Sequence, residues 1–308
     1  MQSKNTHNKL QYAVVVGGAN IDICAASQNE LCEHTSNPGK ITTSLGGVGR
    51  NIAENLALLG TDCRLVSVVG ADLYGDQIIA QGIEAGINMD HISRLDHAST
   101  STYVSILDQD GDMRMAVSDM SIADHINIDK HKNLIGQAAI VIADTNISEG
   151  TLAALMDMVV GQSLIIDTVS IAKARRVIPH LQSMHTLKAN KSEAIAICGE
   201  DMTLTDMAAQ LHEKGIQNIF ITLGPQGVFY SDGVNQDLIK NKPGKVINSN
   251  GAGDAFTAAV GFGCLQGWNI AKTASFAQNA AKIALSHPDT INPEMSQSAV
   301  NKLEENQK

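Results

Sequence analysis

Short β-branched runs separated by stretches of helical spacing constrain this chain more than any other feature. The runs are Tyr12–Val16, Arg64–Val69, Ile140–Ala143, Leu164–Asp167, Thr186–Lys188 and Ile219–Leu223. Between the first two, Ile52, Leu56 and Leu59 fall at i, i+4 and i+7 within Asn51–Gly60, and Gly60 supplies a stop. Such alternation predicts βαβ units and an α/β fold, a mostly parallel sheet sandwiched by helices. Two stretches break the rhythm. Ile21–Ser44 and Ser99–Val117 read as short strands and turns, with one turn at Asp108–Asp112, and predict a small antiparallel flap added to the main sheet. An ordinary surface hairpin is the plainer alternative. No internal repeat or Pro/Ser-rich linker interrupts the 308 residues, so the expectation is a single domain over 1–308.

Charge and composition narrow the function classes. With 22 Lys and Arg against 32 Asp and Glu, the net charge of −10 argues against a surface that grips nucleic acid or anionic lipid. Aromatic residues make up only 3%, too few for base-stacking platforms. No apolar run reaches the ~18 residues of a membrane helix, and the polar start MQSKNTHNKLQY has no signal-peptide core. Cys24, Cys32, Cys63, Cys198 and Cys264 are scattered and odd in number, neither a disulfide framework nor a zinc site. The expectation is a cytoplasmic protein. Common nucleotide signatures fail: Gly39-Lys40 is followed by Ile41 and Gly244-Lys245 by Val246, so neither is a Walker motif. GGVGRN carries Ile52 where a dinucleotide fingerprint needs its third glycine, which discounts a nicotinamide dehydrogenase.

The most informative segment is KVINSNGAGDAFTAAVGFGCL. A strand over Lys245–Asn248 is expected to run into Gly251-Ala252-Gly253-Asp254, where a helix begins. Small residues at a helix N-terminus leave backbone N–H groups free to face an anion, and the macrodipole adds attraction. Asp254 then sits in the first helical turn, where the dipole is expected to keep its carboxylate ionised. A carboxylate beside a phosphate cradle repels phosphate unless it has a task, and the task that fits is taking the proton of an attacking alcohol. A plain glycine turn with a helix-start Asp is the alternative.

Three further segments carry candidate ligands. Asn190 and Glu193, at i and i+3 after a strand, share a helix face. They fit either a capping box or a carboxylate that holds hydrated Mg²⁺, directly or through water. Thr222, Gly224 and Gly227 form a glycine turn between two strands, a hairpin turn or a ligand loop. Near the start, Asn20 and Asp22 are expected at the carboxyl end of the first strand, where open α/β sheets bind ligands. Gly46-Gly47 lets a polyhydroxylated ligand approach the backbone, and Asn51 can offer donor and acceptor to hydroxyls. Asp22 and Asn51 suit a sugar diol; a turn Asp and an N-cap Asn remain open.

Taken in order, these residues resemble the ribokinase-like carbohydrate and nucleoside kinase family. Its GGxxxNxA motif matches Gly46, Gly47, Asn51 and Ala53; its GAGD motif matches Gly251, Ala252, Gly253 and Asp254. NxxE matches Asn190 and Glu193, and TxGxxG matches Thr222, Gly224 and Gly227, over roughly residues 12–285. The segments NPGKI, GGVGRN with Arg50, ADTNIS and HTLKAN are similar to the branch of the family that acts on pseudouridine. The resemblance implies a ribokinase-like fold with a β lid, ATP, Mg²⁺, and γ-phosphoryl transfer to the 5′-hydroxyl of that nucleoside. Asp254 would be the base and the Gly251–Gly253 amides the stabilisers of the transferring group. Asn20, Asp22, Gly46, Gly47 and Asn51 would bind ribose, and Asn190, Thr222, Gly224, Gly227 and Asn279 the nucleotide. The two irregular stretches would be the lid, which in this family often also pairs two subunits into a homodimer.

One departure matters. Where the family usually has Asp-Thr, this chain has Asn248-Ser249. The family's Asp often helps bind a monovalent cation, and a neutral amide is a weaker ligand, so potassium activation is in doubt. A kinase for another nucleoside or sugar (ribose, uridine or adenosine) is the nearest rival reading. A non-catalytic nucleoside-binding regulator is the rival of another class, and the retained base beside a phosphate cradle argues against it.

Overall fold

The computed structural model describes residues 12–242, 244 and 246–305. The chain opens with strand β1 (Tyr12–Val16), then β2 (Asn20–Ser27) and β3 (Gly39–Gly46), and enters helix α1 (Val48–Leu58). Next come β4 (Asp62–Gly70), α2 (Leu73–Glu84), β5 (Ile92–Leu95), β6 (Thr102–Leu107), β7 (Met113–Asp119) and α3 (Lys132–Gln137). The second half runs β8 (Ile140–Asp144), α4 (Glu149–Met158), β9 (Leu164–Asp167), α5 (Ile171–Ala174), β10 (Thr186–Asn190), α6 (Lys191–Cys198) and α7 (Leu204–Glu213). It closes with β11 (Asn218–Thr222), β12 (Val228–Ser231), β13 (Gln236–Ile239), α8 (Ala252–Leu265), α9 (Ile270–Leu285) and α10 (Gln297–Glu305).

The main sheet has nine strands in the order β13-β12-β11-β10-β9-β8-β1-β4-β5. Every neighbour pair from β11 to β5 is parallel, and β12 and β13 add an antiparallel edge. All six runs read from the sequence lie in it. Successive residues of β1 alternate between two cores, as the strand period of two requires. Ala13 and Val15 pack with α1, α8 and α9, whereas Tyr12, Val14 and Val16 pack with residues of α4 and α7. Both faces are therefore covered, and this is why the strands read as continuous apolar runs. The chain leaves β1 towards β4 and β5, then returns on the other side through β8 to β11. The order therefore reverses between β1 and β8, and such a reversal opens a crevice at the carboxyl ends of the strands.

The irregular stretches form a separate four-stranded sheet, β3-β2-β6-β7. This corrects the expected antiparallel addition to the main sheet: β2 pairs with β6 in parallel, and only the β2–β3 and β6–β7 pairs are antiparallel. β2 and β6 are far apart in sequence, and no hairpin constrains their direction. Asn20 and Asp22 belong to β2 of this second sheet, not to the end of β1. Gly17, Gly18 and Ala19 lie between the two strands, and a Cβ on Gly17 would lie 2.3 Å from Asp144 Oδ2. The strand expected over Lys245–Asn248 is absent at 246–248, and Lys245 lies outside the described residues. There the backbone N–H of Ile247 donates to Leu285 O at the end of α9 (2.8 Å) instead of to a strand. Among the described residues no helix is long and apolar enough to cross a membrane.

Candidate active site

A cleft of about 270 Å³ opens between the second sheet, the start of α1 and the start of α8; its lining includes Asn20, Asp22, Asn51, Asn146, Gly251 and Asp254. Gly47 caps α1 with φ 97°, and a Cβ there would lie 2.4 Å from Gly18 O. A Cβ on Gly46 would lie 2.4 Å from Asp22 Oδ2. The glycine pair thus lets β2 and the helix start close on each other, which puts the Asn20–Asp22 pair at the cleft wall. Asn20 Nδ2 donates to Asp22 Oδ1 (2.6 Å), and burial raises the Asp22 carboxyl above its usual range. Asn51 is already engaged: its Oδ1 accepts from Arg50 Nη1 (3.0 Å) and its Nδ2 donates to Asp254 Oδ2 (2.8 Å). One N–H and one lone pair of its amide are left for a ligand, which keeps the donor-and-acceptor role expected for it open.

The start of α8 is built on glycine for a steric reason. Gly251 is left-handed at φ 77°, and a Cβ there would meet Thr290 O at 2.2 Å. The first-turn N–H groups that follow, through Gly253 and Asp254, have no acceptor within the helix and form an anion cradle. Beneath it lies a buried cation: the Lys188 ammonium is 3.0 Å from where a Gly253 Cβ would be. Lys188 Nζ donates to Asp167 Oδ2 (2.9 Å), and Thr257 Oγ1, one turn beyond Asp254, donates to the same oxygen (2.6 Å). Burial alone would lower the Lys188 pKa, but Asp167 outweighs it and the ammonium stays protonated.

Asp254 does not keep an ordinary ionised carboxyl, as the helix dipole alone suggested. Burial and the nearby Asp167 push it up to about 7, against the opposing pull of the Asn51 hydrogen bond and Lys188. Desolvation and a like charge outweigh the dipole here. A carboxyl poised near neutrality is well matched to taking a proton at physiological pH. At the sheet crossover, Asp144 is pushed up to about 6 by burial while accepting from the backbone N–H groups of Asn146 (2.7 Å) and Gly18 (3.0 Å). Asn146 in turn takes a hydrogen bond from Lys173 Nζ at the cleft wall.

The residues expected at the nucleotide side lie on neighbouring strand ends. Asn190 and Thr222 are register partners at the carboxyl ends of β10 and β11. The turn after Thr222 needs its glycines: Gly224 and Gly227 have φ 57° and 117°, and a Cβ on Gly227 would lie 1.9 Å from Ile239 O. Glu193 forms a full capping box with Asn190. Its Oε2 accepts from Thr168 Oγ1 (2.6 Å) and from Asn190 N (2.8 Å), and its Oε1 from Asn190 Nδ2 (2.7 Å). A carboxylate so engaged fits a hydrated Mg²⁺ through water better than by direct ligation. Among the described residues no cluster of three or more His, Cys, Asp and Glu could hold a metal ion by itself. Asn279 lies on α9 and is 2% exposed. Asn248 ties its loop to the segment after α9: Nδ2 donates to Pro288 O (2.8 Å), and Oδ1 accepts from Asn250 N (2.9 Å).

The pfkB family carbohydrate kinase model matches residues 10–297. The chain belongs to the pfkB family of carbohydrate kinases. It is 38% identical to the pseudouridine kinase of Escherichia coli K12 over 96% of this chain and 97% of that protein. A putative sugar kinase from Clostridium perfringens superposes with a TM-score of 0.87 at 32% identity, covering 97% of each chain. A putative ribokinase II from E. coli in complex with ATP and Mg²⁺ shares the fold, with a TM-score of 0.83 at 16% identity over 96% of this chain and all of that one. Membership makes this pfkB chain a sugar or nucleoside kinase, a phosphotransferase with an alcohol acceptor.

Several residues of this pfkB site escaped the motif reading. In the sequence Asp167 and Lys188 stand only in strand runs and Thr257 only in a helical stretch. The signal was available: a Lys inside an apolar strand is almost never buried without a partner, and an Asp ending the preceding strand is the natural one. Arg50 stands inside GGVGRN, and the motif by itself gives it no role. The electrostatics of Asp254 generate a stability prediction. Its folded pKa lies near 7 against 3.8 for an ordinary aspartate, so the folded state binds the extra proton between these values. Wild-type stability therefore falls as pH rises through this window and changes little from this group above it. Relative to wild type, Asp254→Asn should gain melting temperature steadily from about pH 4 to about pH 7 and then level off. Melting curves across that range check it, and a difference that stays flat with pH would contradict a raised Asp254 pKa.

Proposed function

We propose that this chain transfers the γ-phosphoryl group of ATP to the 5′-hydroxyl of pseudouridine. The observation that carries the reading is the cleft itself. It sets a near-neutral Asp254 at the free start of α8 opposite a ribose-suited Asn20–Asp22 pair. Its likeness to the E. coli pseudouridine kinase over nearly both full lengths supports the choice of nucleoside.

In this mechanism Asn20, Asp22, Asn51 and the backbone at Gly46-Gly47 hold the ribose hydroxyls and bring the 5′-oxygen to Asp254. Asp254 accepts the hydroxyl proton as that oxygen attacks the γ-phosphorus. The N–H groups of Gly251, Ala252 and Gly253, with the α8 dipole behind them, stabilise charge on the transferring oxygens. The Lys188 ammonium, held by Asp167, adds positive charge below that cradle. Asn190, Thr222, Gly224, Gly227 and Asn279 hold the nucleotide. Glu193 would hold a hydrated Mg²⁺ through water, and the ion would supply screening of the phosphate charge. The second sheet acts as a lid that excludes water competing for the phosphoryl group. Its edge strands expose Ile41, Met113, Met115 and Val117, an apolar set that supports pairing of two copies through the lid. The free cysteines support a reducing, cytoplasmic setting.

Substrate choice tests the reading. Pseudouridine and uridine share the ribose, so Asp22 and Asn51 do not distinguish them. Discrimination falls to groups that reach the base edge, from the lid or from Asp144–Ser148, where Asn146 lines the cleft. A site that accepts the extra ring N–H leaves a buried acceptor unpaired with uridine. ATP consumption should be at least about tenfold more efficient with pseudouridine than with uridine, and free ribose should be poorer still. Equal efficiency with uridine, or preference for ribose, fructose or adenosine, would leave only the general family activity.

The role of Glu193 is separable from its cap. If it organises hydrated Mg²⁺, Glu193→Gln raises the Mg²⁺ required for half-maximal activity well beyond its effect on melting. A cap alone predicts loss of ~1 kcal/mol of stability with an unchanged Mg²⁺ requirement. A Mg²⁺ titration run beside a melting curve decides between them.

A further inference from the structure

Arg50 is a charged residue that the mechanism above leaves unused, yet it is only 5% exposed and lies beside the base. Its Nη1 donates to Leu45 O (3.3 Å) and to Asn51 Oδ1 (3.0 Å), and its Nη2 pairs with Glu54 one turn along α1. The charged groups facing it are Glu54 on α1, Asp22 on β2 and Asp254 on α8. A guanidinium can only donate. The Asn51 amide must therefore turn its oxygen to Arg50, and its nitrogen then faces Asp254, to which it donates at 2.8 Å. Rotated the other way, the amide would set a carbonyl oxygen against the carboxylate and lose both hydrogen bonds.

We propose that Arg50, locked by Glu54, is a positioning residue that fixes the orientation of the Asn51 amide and so holds Asp254 ready to accept a proton. The inference rests on Asp254 as the base. It explains why an arginine is worth burying at this point of α1. The bond it enforces occupies one carboxylate oxygen, Oδ2, and leaves Oδ1 for the substrate hydroxyl. The other charged groups that face Asp254 are Asp167 on β9, Lys188 on β10 and Asp144 on β8. None of them touches Arg50 or Asn51 through a hydrogen bond given above, so their influence persists when Arg50 is replaced.

The test is the pH dependence of kcat/KM for nucleoside phosphorylation in wild type, Arg50→Met and Arg50→Lys, with melting curves to establish that each variant is folded. Wild type should show an acidic limb near pH 7, set by Asp254. In Arg50→Met the amide is free to turn, the base loses its donor as well as the direct pull of the Arg50 charge, and the limb should move about one unit to higher pH. Below the limb this is a loss of roughly tenfold that is largely recovered at alkaline pH. In an Asn51→Ala background, where only the direct charge acts, the same replacement should move the limb much less. Arg50→Lys keeps a donor-only cation and should move the limb less. If the Met variant is not folded, the neutral but polar Arg50→Gln takes its place. A folded variant whose activity drops equally at every pH, with the limb unmoved, would overturn the inference and leave Asp254 as base intact. A wild-type profile without any acidic limb would remove the base assignment itself, and the inference with it.

Discussion

The hydrogen bond from Asn51 to Asp254 joins side chains 203 residues apart in sequence and ties the start of α1 to the start of α8. Each helix begins on a glycine with positive φ, Gly47 for α1 and Gly251 for α8. Neither position accepts a Cβ without collision, against Gly18 in one case and Thr290 in the other. The glycines seat α1 against the turn after β1 and α8 against the segment after α9, and from these two seats one amide reaches one carboxylate. That carboxylate is then held between opposing influences: burial and Asp167 raise its pKa, while Asn51 and Lys188 lower it. The balance leaves a group that titrates near neutral pH, and the rest of the site is arranged around it.

The main sheet delivers the other parts to the same edge. Because strand order reverses between β1 and β8, the carboxyl ends of β1, β8, β9, β10 and β11 all open on one side. Gly18 after β1 and Asp144 at the end of β8 meet in a hydrogen bond at the reversal itself. Asp167 and Lys188, register partners on β9 and β10, place a paired charge below α8. A buried ion pair adds little stability by itself. Its value here is position: it sets an ammonium against the backbone of Gly253, with Thr257 closing the contact from the helix side.

Much of this was legible in the sequence because the determining signals are local. The parallel strands are short β-branched runs, and the helix starts carry glycines where no other residue fits. What was not legible depends on distance in sequence. The parallel pairing of β2 with β6 joins segments separated by the whole of α1, β4 and α2, so local alternation suggested only hairpins. Asn20 and Asp22 follow β1 closely, and nothing local signals that they enter a second sheet. The ionisation of Asp254 was misjudged for the same reason: the helix dipole can be read from residues 251–254, whereas Asp167 and the depth of burial cannot. Glu193 is the opposite case, since its capping box with Asn190 is local, and the i, i+3 spacing already announces it.

The central claim is that Asp254 takes the proton of the attacking hydroxyl. The most direct measurement compares wild type with Asp254→Asn in two assays: nucleoside affinity by calorimetry and the rate of phosphoryl transfer from ATP at saturating substrate. The account predicts that the variant binds nucleoside with near-wild-type affinity and loses a factor of ~10²–10⁴ in rate. Near-normal turnover in the folded variant would contradict it.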